Sequence, residues 1–100
     1  MKRISSKTAK DMMTNQKVVI LDVRTPSEFI QRHVPKAINI PLGDFSPKIS
    51  DIIPDKDAIY LVYCESGIRS ITAAKQMDQL GYANVYEFGG LNNWPYDIER

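Results

Sequence analysis

The sequence predicts an α/β fold with a mainly parallel central sheet, and three observations carry that reading. Residues 18–21 (VVIL) and 59–63 (IYLVY) are unbroken apolar runs, as expected of strands covered on both faces. Between and after them lie segments with helical periodicity and clear N-terminal capping residues. Helix and strand signals alternate from end to end, with no repeat and no low-complexity tract. At 100 residues the chain has the length of one ordinary domain, so a single domain over residues 1–100 is expected.

In chain order, Ser5 or Ser6 can cap a helix to about Met13, with Ala9, Met12 and Met13 inward. The strand 18–21 follows. Thr25-Pro26-Ser27-Glu28 reads as a capping box, with Thr25 at the N-cap, Pro26 at the first helical position and Glu28 reaching back. That helix should end near Arg32, because Pro35 disfavours helix in the residue before it. Residues 37–40 read as a short strand stopped by Pro41, and Ser46-Pro47 opens a helix to about Ile53. After the strand 59–63, a helix should run to Leu80 with Ile71, Ala74, Met77 and Leu80 at core spacing and Gly81 beyond its end. Residues 84–88 form the last predicted strand, broken by Gly89-Gly90, before a helical turn through Trp94 that Pro95 stops.

Composition removes several function classes. Hydrophobic residues are 43% and charged residues 25%, which excludes a disordered chain. Thirteen basic against twelve acidic residues leave a net charge of +1, so neither nucleic acid nor a membrane surface is an expected partner. The start MKRISSKTAK lacks an apolar stretch and no run is long enough to span a bilayer, so a cytoplasmic protein is expected. One cysteine and one histidine offer neither an internal disulfide nor a tetrahedral zinc site.

That cysteine, Cys64, stands where a buried strand should end and a helix begin. Ligands of open parallel sheets bind outside the carboxyl ends of the strands. The amides of Glu65, Ser66, Gly67, Ile68, Arg69 and Ser70 can converge there, with the helix dipole behind them. Gly67 permits the tight curve and Arg69 adds a positive charge, so the thiol should ionise easily. The alternative is a small core residue at a strand end. A Cys–His hydrolase would have to use His33, the lone imidazole. Asp22 and Arg24 are read as supporting groups: Asp22 anchoring loop amides, Arg24 pairing with a carboxylate such as Glu28.

Four blocks in order resemble the rhodanese-like family over nearly the whole chain. They are Leu21-Asp22-Val23-Arg24-Thr25-Pro26-Ser27-Glu28-Phe29; His33-Val34-Pro35 with Ala37-Ile38-Asn39-Ile40-Pro41-Leu42; Cys64-Glu65-Ser66-Gly67-Ile68-Arg69-Ser70; and Gly89-Gly90 with Trp94. The resemblance implies about five strands flanked by helices, and a sulfurtransferase that works through a Cys64 persulfide without metal or organic cofactor. It implies residues 65–70 as the cradle of that persulfide, and a structural hydrogen-bonding role for His33 in the second block. It also implies a small-molecule sulfur donor such as thiosulfate, and as acceptor a thiol, cyanide or an acceptor protein. A non-catalytic protein-binding module is the alternative. A cysteine-dependent phosphatase or arsenate reductase ranks lower, because those resemble a loop one residue longer than the four between Cys64 and Arg69.

The chain departs from the family in three places. Arg32 and Lys36 stand where the family usually has glycine, which adds strain if either backbone has positive φ and places two cations beside the expected pocket. Glu65 puts an anion next to the nucleophile, opposing thiolate formation and an anionic donor. For a carboxylate ~8 Å from a bound dianion, Coulomb's law with screening predicts about a fivefold gain in kcat/KM for thiosulfate in Glu65→Lys.

Overall fold

The computed structural model describes residues 1–45 and 49–100. Five parallel strands form one sheet in the order β1-β5-β4-β2-β3: β1 (Lys2–Arg3), β2 (Val19–Asp22), β3 (Ile38–Asn39), β4 (Ile59–Cys64) and β5 (Asn84–Gly90). Among the described residues four α-helices connect them: α1 (Ser6–Asn15), α2 (Pro26–Gln31), α3 (Ile49–Ile52) and α4 (Ile68–Gln79). Alternation along the central strand divides the core in two. Tyr60, Val62 and Cys64 face the layer containing Ala73, Ala74 and Met77 of α4, while Leu61 and Tyr63 face Ala9 of α1, Phe88 and Trp94.

The local signals translate directly. Ser5 caps α1 by accepting from the Thr8 amide, and the Thr25/Glu28 capping box opens α2 with both of its hydrogen bonds formed. Gly81, at φ 93°, follows α4 as expected. The expected Ser46-Pro47 helix start lies outside the described residues. In α4 the buried positions are Ser70, Ala73, Ala74 and Met77, while Ile71 and Leu80 are half-buried. The small residues lie against the sheet because α4 packs closely on β4 and β5.

Two expectations change. β1 is a two-residue strand of basic residues that no apolar pattern marks; its register with Tyr86 and Glu87 comes from the far end of the chain. Gly89-Gly90 does not break β5. The strand continues to Gly90, which pairs with Cys64 after a register shift between Val62 and Cys64. Gly90 has an extended backbone (φ −171°), so its need for glycine is steric: a Cβ there would overlap the backbone of Cys64 and Glu65. The Asn92 amide then donates to the Glu65 carbonyl at 3.1 Å. The end of β5 thus presses on the segment that follows β4.

Replacing Gly90 with Ala should lower stability by about 3 kcal/mol, because backbone on both sides must move. Gly43→Ala, where a Cβ meets nothing within 4 Å, should stay within about 0.5 kcal/mol of wild type. Urea midpoints at unchanged m-value provide the comparison. Equal midpoints for the two variants would refute the close approach.

Candidate active site

Cys64 is fully buried at the C-terminal end of β4, and the chain then turns through Glu65, Ser66 and Gly67 into α4. Gly67 is the N-cap at φ 102°, a left-handed conformation that favours glycine. Having no side chain, it leaves the first amides of α4 uncapped and free to face sulfur. Its own N–H donates to Cys64 Sγ at 3.0 Å, and the Ser70 hydroxyl lies 3.4 Å from the same atom. Burial pushes the Cys64 thiol pKa up. The Ser70 hydroxyl and amide and the amides of Gly67 and Ser66 outweigh it, so the net shift is downward. Fixed dipoles around a buried sulfur can hold negative charge on Sγ, or one atom beyond it, without reorganising.

Arg69 is turned toward α2, where it grips Glu28 through two hydrogen bonds of 2.7 and 3.0 Å. Arg69, and secondarily the Thr25 amide and hydroxyl, outweigh burial and hold the Glu28 carboxyl at about 2. The capping-box glutamate therefore also fixes the first turn of α4. This corrects the expected Arg24–Glu28 pair.

Arg24 instead belongs to a buried network, and only 2% of it is exposed. Its guanidinium donates to both Asp22 oxygens, at 2.7 Å for the shortest contact, to the Arg32 carbonyl at 2.6 Å and to Glu65 Oε1 at 3.2 Å. Asp22 accepts one loop amide, that of Arg24 at 2.9 Å, and the Tyr63 hydroxyl at 2.6 Å. Burial first, and then the bond to Asp22, raise the Tyr63 pKa, so the phenol stays neutral while its oxygen accepts from the Val34 amide. Asn39 donates to the carbonyls of Asp22 and Arg24.

Glu65 does not confront the sulfur alone. Its carboxylate is clamped by Arg24 and, at 3.1 Å, by Arg32. A lysine at this position would face two guanidiniums, so the expected benefit of Glu65→Lys does not carry over. Arg32 has an extended backbone, φ −170°, whereas Lys36 has φ 69° and carries the strain foreseen for a non-glycine residue. Lys36 is not beside Cys64. It lines a cavity of about 430 Å³ at the opposite end of the sheet, with Val18 and with Val19 and Ile38 from the N-terminal ends of β2 and β3. His33 stacks on Phe29 at 3.9 Å, and its Nδ1 lies 2.9 Å from the Phe29 carbonyl oxygen, which fits a structural role. Ser66 and Ile68 are exposed on either side of the buried Gly67.

Sequence reasoning missed Tyr63, Asn39 and Glu87 as polar partners around the site. Glu87 left a readable signal, since it stands two residues from the inward-facing Val85 on β5.

Glu28 gives the site a pH dependence of definite sign. Its folded pKa is depressed from 4.5 to about 2, so its contribution to stability is complete above 4.5 and disappears as pH falls toward 2. The side chain is 32% exposed, which limits that contribution to about 1 kcal/mol. Wild type should exceed Glu28→Gln in urea midpoint at pH 6, with the two converging between pH 4.5 and 2. A gap independent of pH would show that the carboxylate charge is not what matters.

A family model described as Rhodanese-like domain matches residues 5–96. The chain is 40% identical over 73 residues to the thiosulfate sulfurtransferase PspE of Escherichia coli, covering 73% of this chain and 70% of that protein. It is 32% identical to a sulfurtransferase of Allochromatium vinosum, over 90% of this chain and 83% of the relative. Among solved structures, a rhodanese with anions from E. coli superposes with a TM-score of 0.76 at 34% identity, over 84% of this chain and 99% of that one. With this fold, this cysteine loop and these relatives, the chain belongs to the rhodanese-like family of sulfurtransferases.

Proposed function

We propose that this protein transfers a sulfane sulfur through a persulfide on Cys64. The observation that carries the reading is the Gly67 amide at 3.0 Å from Sγ, with the uncapped start of α4 behind it. With thiosulfate, the Cys64 thiolate attacks the outer sulfur. A Cys64 S–S bond forms, the donor's S–S bond breaks, and sulfite leaves with that electron pair. Sγ is left neutral, and the transferred sulfur keeps the negative charge it carried in the donor, now as the persulfide terminus within reach of the amides of residues 65–70. A thiolate acceptor, or cyanide in an assay, then attacks the terminal sulfur and returns Cys64 as thiolate. The thiosulfate sulfurtransferase relative supports thiosulfate as one donor, and a small thiol or an acceptor protein is the proposed recipient.

The roles follow from placement. Cys64 is the nucleophile; Ser66, Gly67 and Ser70 supply the lowering hydrogen bonds. Arg69 is fixed by Glu28, and Asp22, Arg24 and Arg32 hold Glu65 and the loop from the side. Lys36, at the opposite end, has no part in the reaction.

Intact-protein mass spectrometry tests the chemistry. Thiosulfate should add the mass of one sulfur atom, cyanide should remove it, and Cys64→Ser should show neither change while remaining folded. Turnover by Cys64→Ser would refute the persulfide route, and a folded wild type that never gains sulfur would favour a non-catalytic binding role.

Glu65→Gln tests the donor. For a separation of ~8 Å and an effective dielectric of ~60, removing one charge changes the interaction with a dianion by about 1.4 kcal/mol, or about 0.5 kcal/mol after screening at physiological salt. The kcat/KM for thiosulfate should rise about twofold, more at low salt, with little change for a neutral donor. An equal response to both donors would locate the effect in loop structure rather than in charge.

A further inference from the structure

Beneath the loop lies a buried carboxylate that the sulfur-transfer steps leave unused. Glu87 on β5 is fully enclosed. Its Oε2 accepts from the Ser70 hydroxyl at 2.5 Å and from the Gly89 amide at 2.8 Å, and its Oε1 accepts from Arg3 Nε at 3.0 Å. The same Ser70 oxygen lies 3.4 Å from Cys64 Sγ and 3.3 Å from the Gly89 carbonyl. A serine hydroxyl has one proton to donate and lone pairs to accept with. Glu87 and the sulfur are therefore rival acceptors, and the carboxylate holds the shorter, charge-assisted bond.

We propose that Glu87 is a positioning residue that competes with Cys64 for the single Ser70 proton, withholding it from the thiolate and reclaiming it when Sγ is left neutral in the persulfide. In the thiol form, Ser70 donates to Glu87 and can accept from the Cys64 S–H. In the thiolate form, Sγ competes for that proton, and each time Sγ takes it Glu87 is left with the Gly89 amide and Arg3 as its donors. Once the persulfide forms, Sγ no longer carries the charge and the Ser70–Glu87 bond is restored. Glu87 thus favours the loaded enzyme over the free thiolate. It also keeps that thiolate more basic than the loop alone would make it, and a more basic thiolate attacks sulfur faster.

The charged groups facing this cluster are Arg3 of β1 on Glu87 and Arg69 of α4 near Cys64; Arg69 is itself paired with Glu28. The inference about sulfur rests on the persulfide reading. The competition itself is measurable without any donor, because the protein's one cysteine makes the ultraviolet absorbance of the thiolate a clean titration signal.

Glu87→Asp keeps the charge but withdraws it from Ser70 by one methylene. The Cys64 titration should move down by about one pH unit in this variant, a tenfold change in acidity. Ser70→Ala should move it up, and adding Glu87→Asp to Ser70→Ala should then have no effect. Should Glu87→Asp fail to fold, Glu87→Gln serves in its place, and it should lower the midpoint more with Ser70 present than in the Ser70→Ala background. A Glu87→Asp shift that survives in Ser70→Ala, or a Glu87→Gln shift of equal size in both backgrounds, would mean that Glu87 acts through space and would overturn the proposal. So would an unshifted midpoint in folded Glu87→Asp. With thiosulfate, the Asp variant should slow the gain of sulfur mass more than its loss to cyanide; the reverse order would refute the bias toward the loaded form. Absence of any sulfur gain in wild type would defeat the transfer reading alone, leaving the titration result standing.

Discussion

The edge of the sheet that carries Cys64 depends on one buried guanidinium. Arg24 joins the end of β2 through Asp22, the end of α2 through the Arg32 carbonyl, and the cysteine loop through Glu65. Removing one partner of a buried ion pair typically costs about 3–5 kcal/mol, because the other charge stays buried and unmatched. Here the loss would also release the loop whose curvature aims amides at sulfur. Asp22 is held in turn by the neutral Tyr63 phenol, one residue before the cysteine. The fold and the site therefore share the same polar bonds, and neither can be altered without disturbing the other.

The charges of this edge cancel. Asp22, Glu65 and Glu28 are matched by Arg24, Arg32 and Arg69, each within hydrogen-bonding distance of a partner. The attraction for negative charge at Sγ comes instead from backbone amides, the Ser70 hydroxyl and the first turn of α4. Backbone dipoles do not titrate, and at contact distance salt screens them little. A sulfur anion held this way keeps its stabilisation across a broad range of pH and ionic strength, whereas long-range attraction of an anionic donor is modest. Such a site discriminates by fit at the sulfur more than by the charge of the donor.

What was legible in the sequence was what is decided locally. The Thr25/Glu28 capping box, the Ser5 cap, Gly81 beyond α4 and the strand–loop–helix around Cys64 each follow from residues within one or two turns of one another. The resemblance extended this to five strands. The errors all involve contacts across the chain. Glu28 looked like a partner for nearby Arg24 but is taken by Arg69, forty-one residues away. Gly89-Gly90 looked like a strand break because glycine usually weakens strands. In the fold it is where β5 comes closest to the cysteine loop. β1 is polar and two residues long, and only its pairing with β5 makes it a strand. Lys36 stands at a family glycine position on the segment expected to border the pocket, yet the chain before β3 carries it to the other end of the sheet.

Two of these errors, β1 and Gly89-Gly90, meet on β5, which lies beneath the loop and sets conditions that the loop's own sequence does not contain. Gly90 admits the backbone of residues 64–65, the Asn92 amide ties the Glu65 carbonyl, and Glu87 holds the hydroxyl of Ser70. Each contact spans a large sequence separation, and each acts on a different property: shape, position and proton distribution. A cysteine loop of fixed length and composition can therefore serve in chains of different reactivity, according to what the neighbouring strand presents two residues before its paired glycines. In this chain that residue is a carboxylate neutralised by Arg3, an arrangement that keeps β1 on the sheet while it governs the serine beside the sulfur.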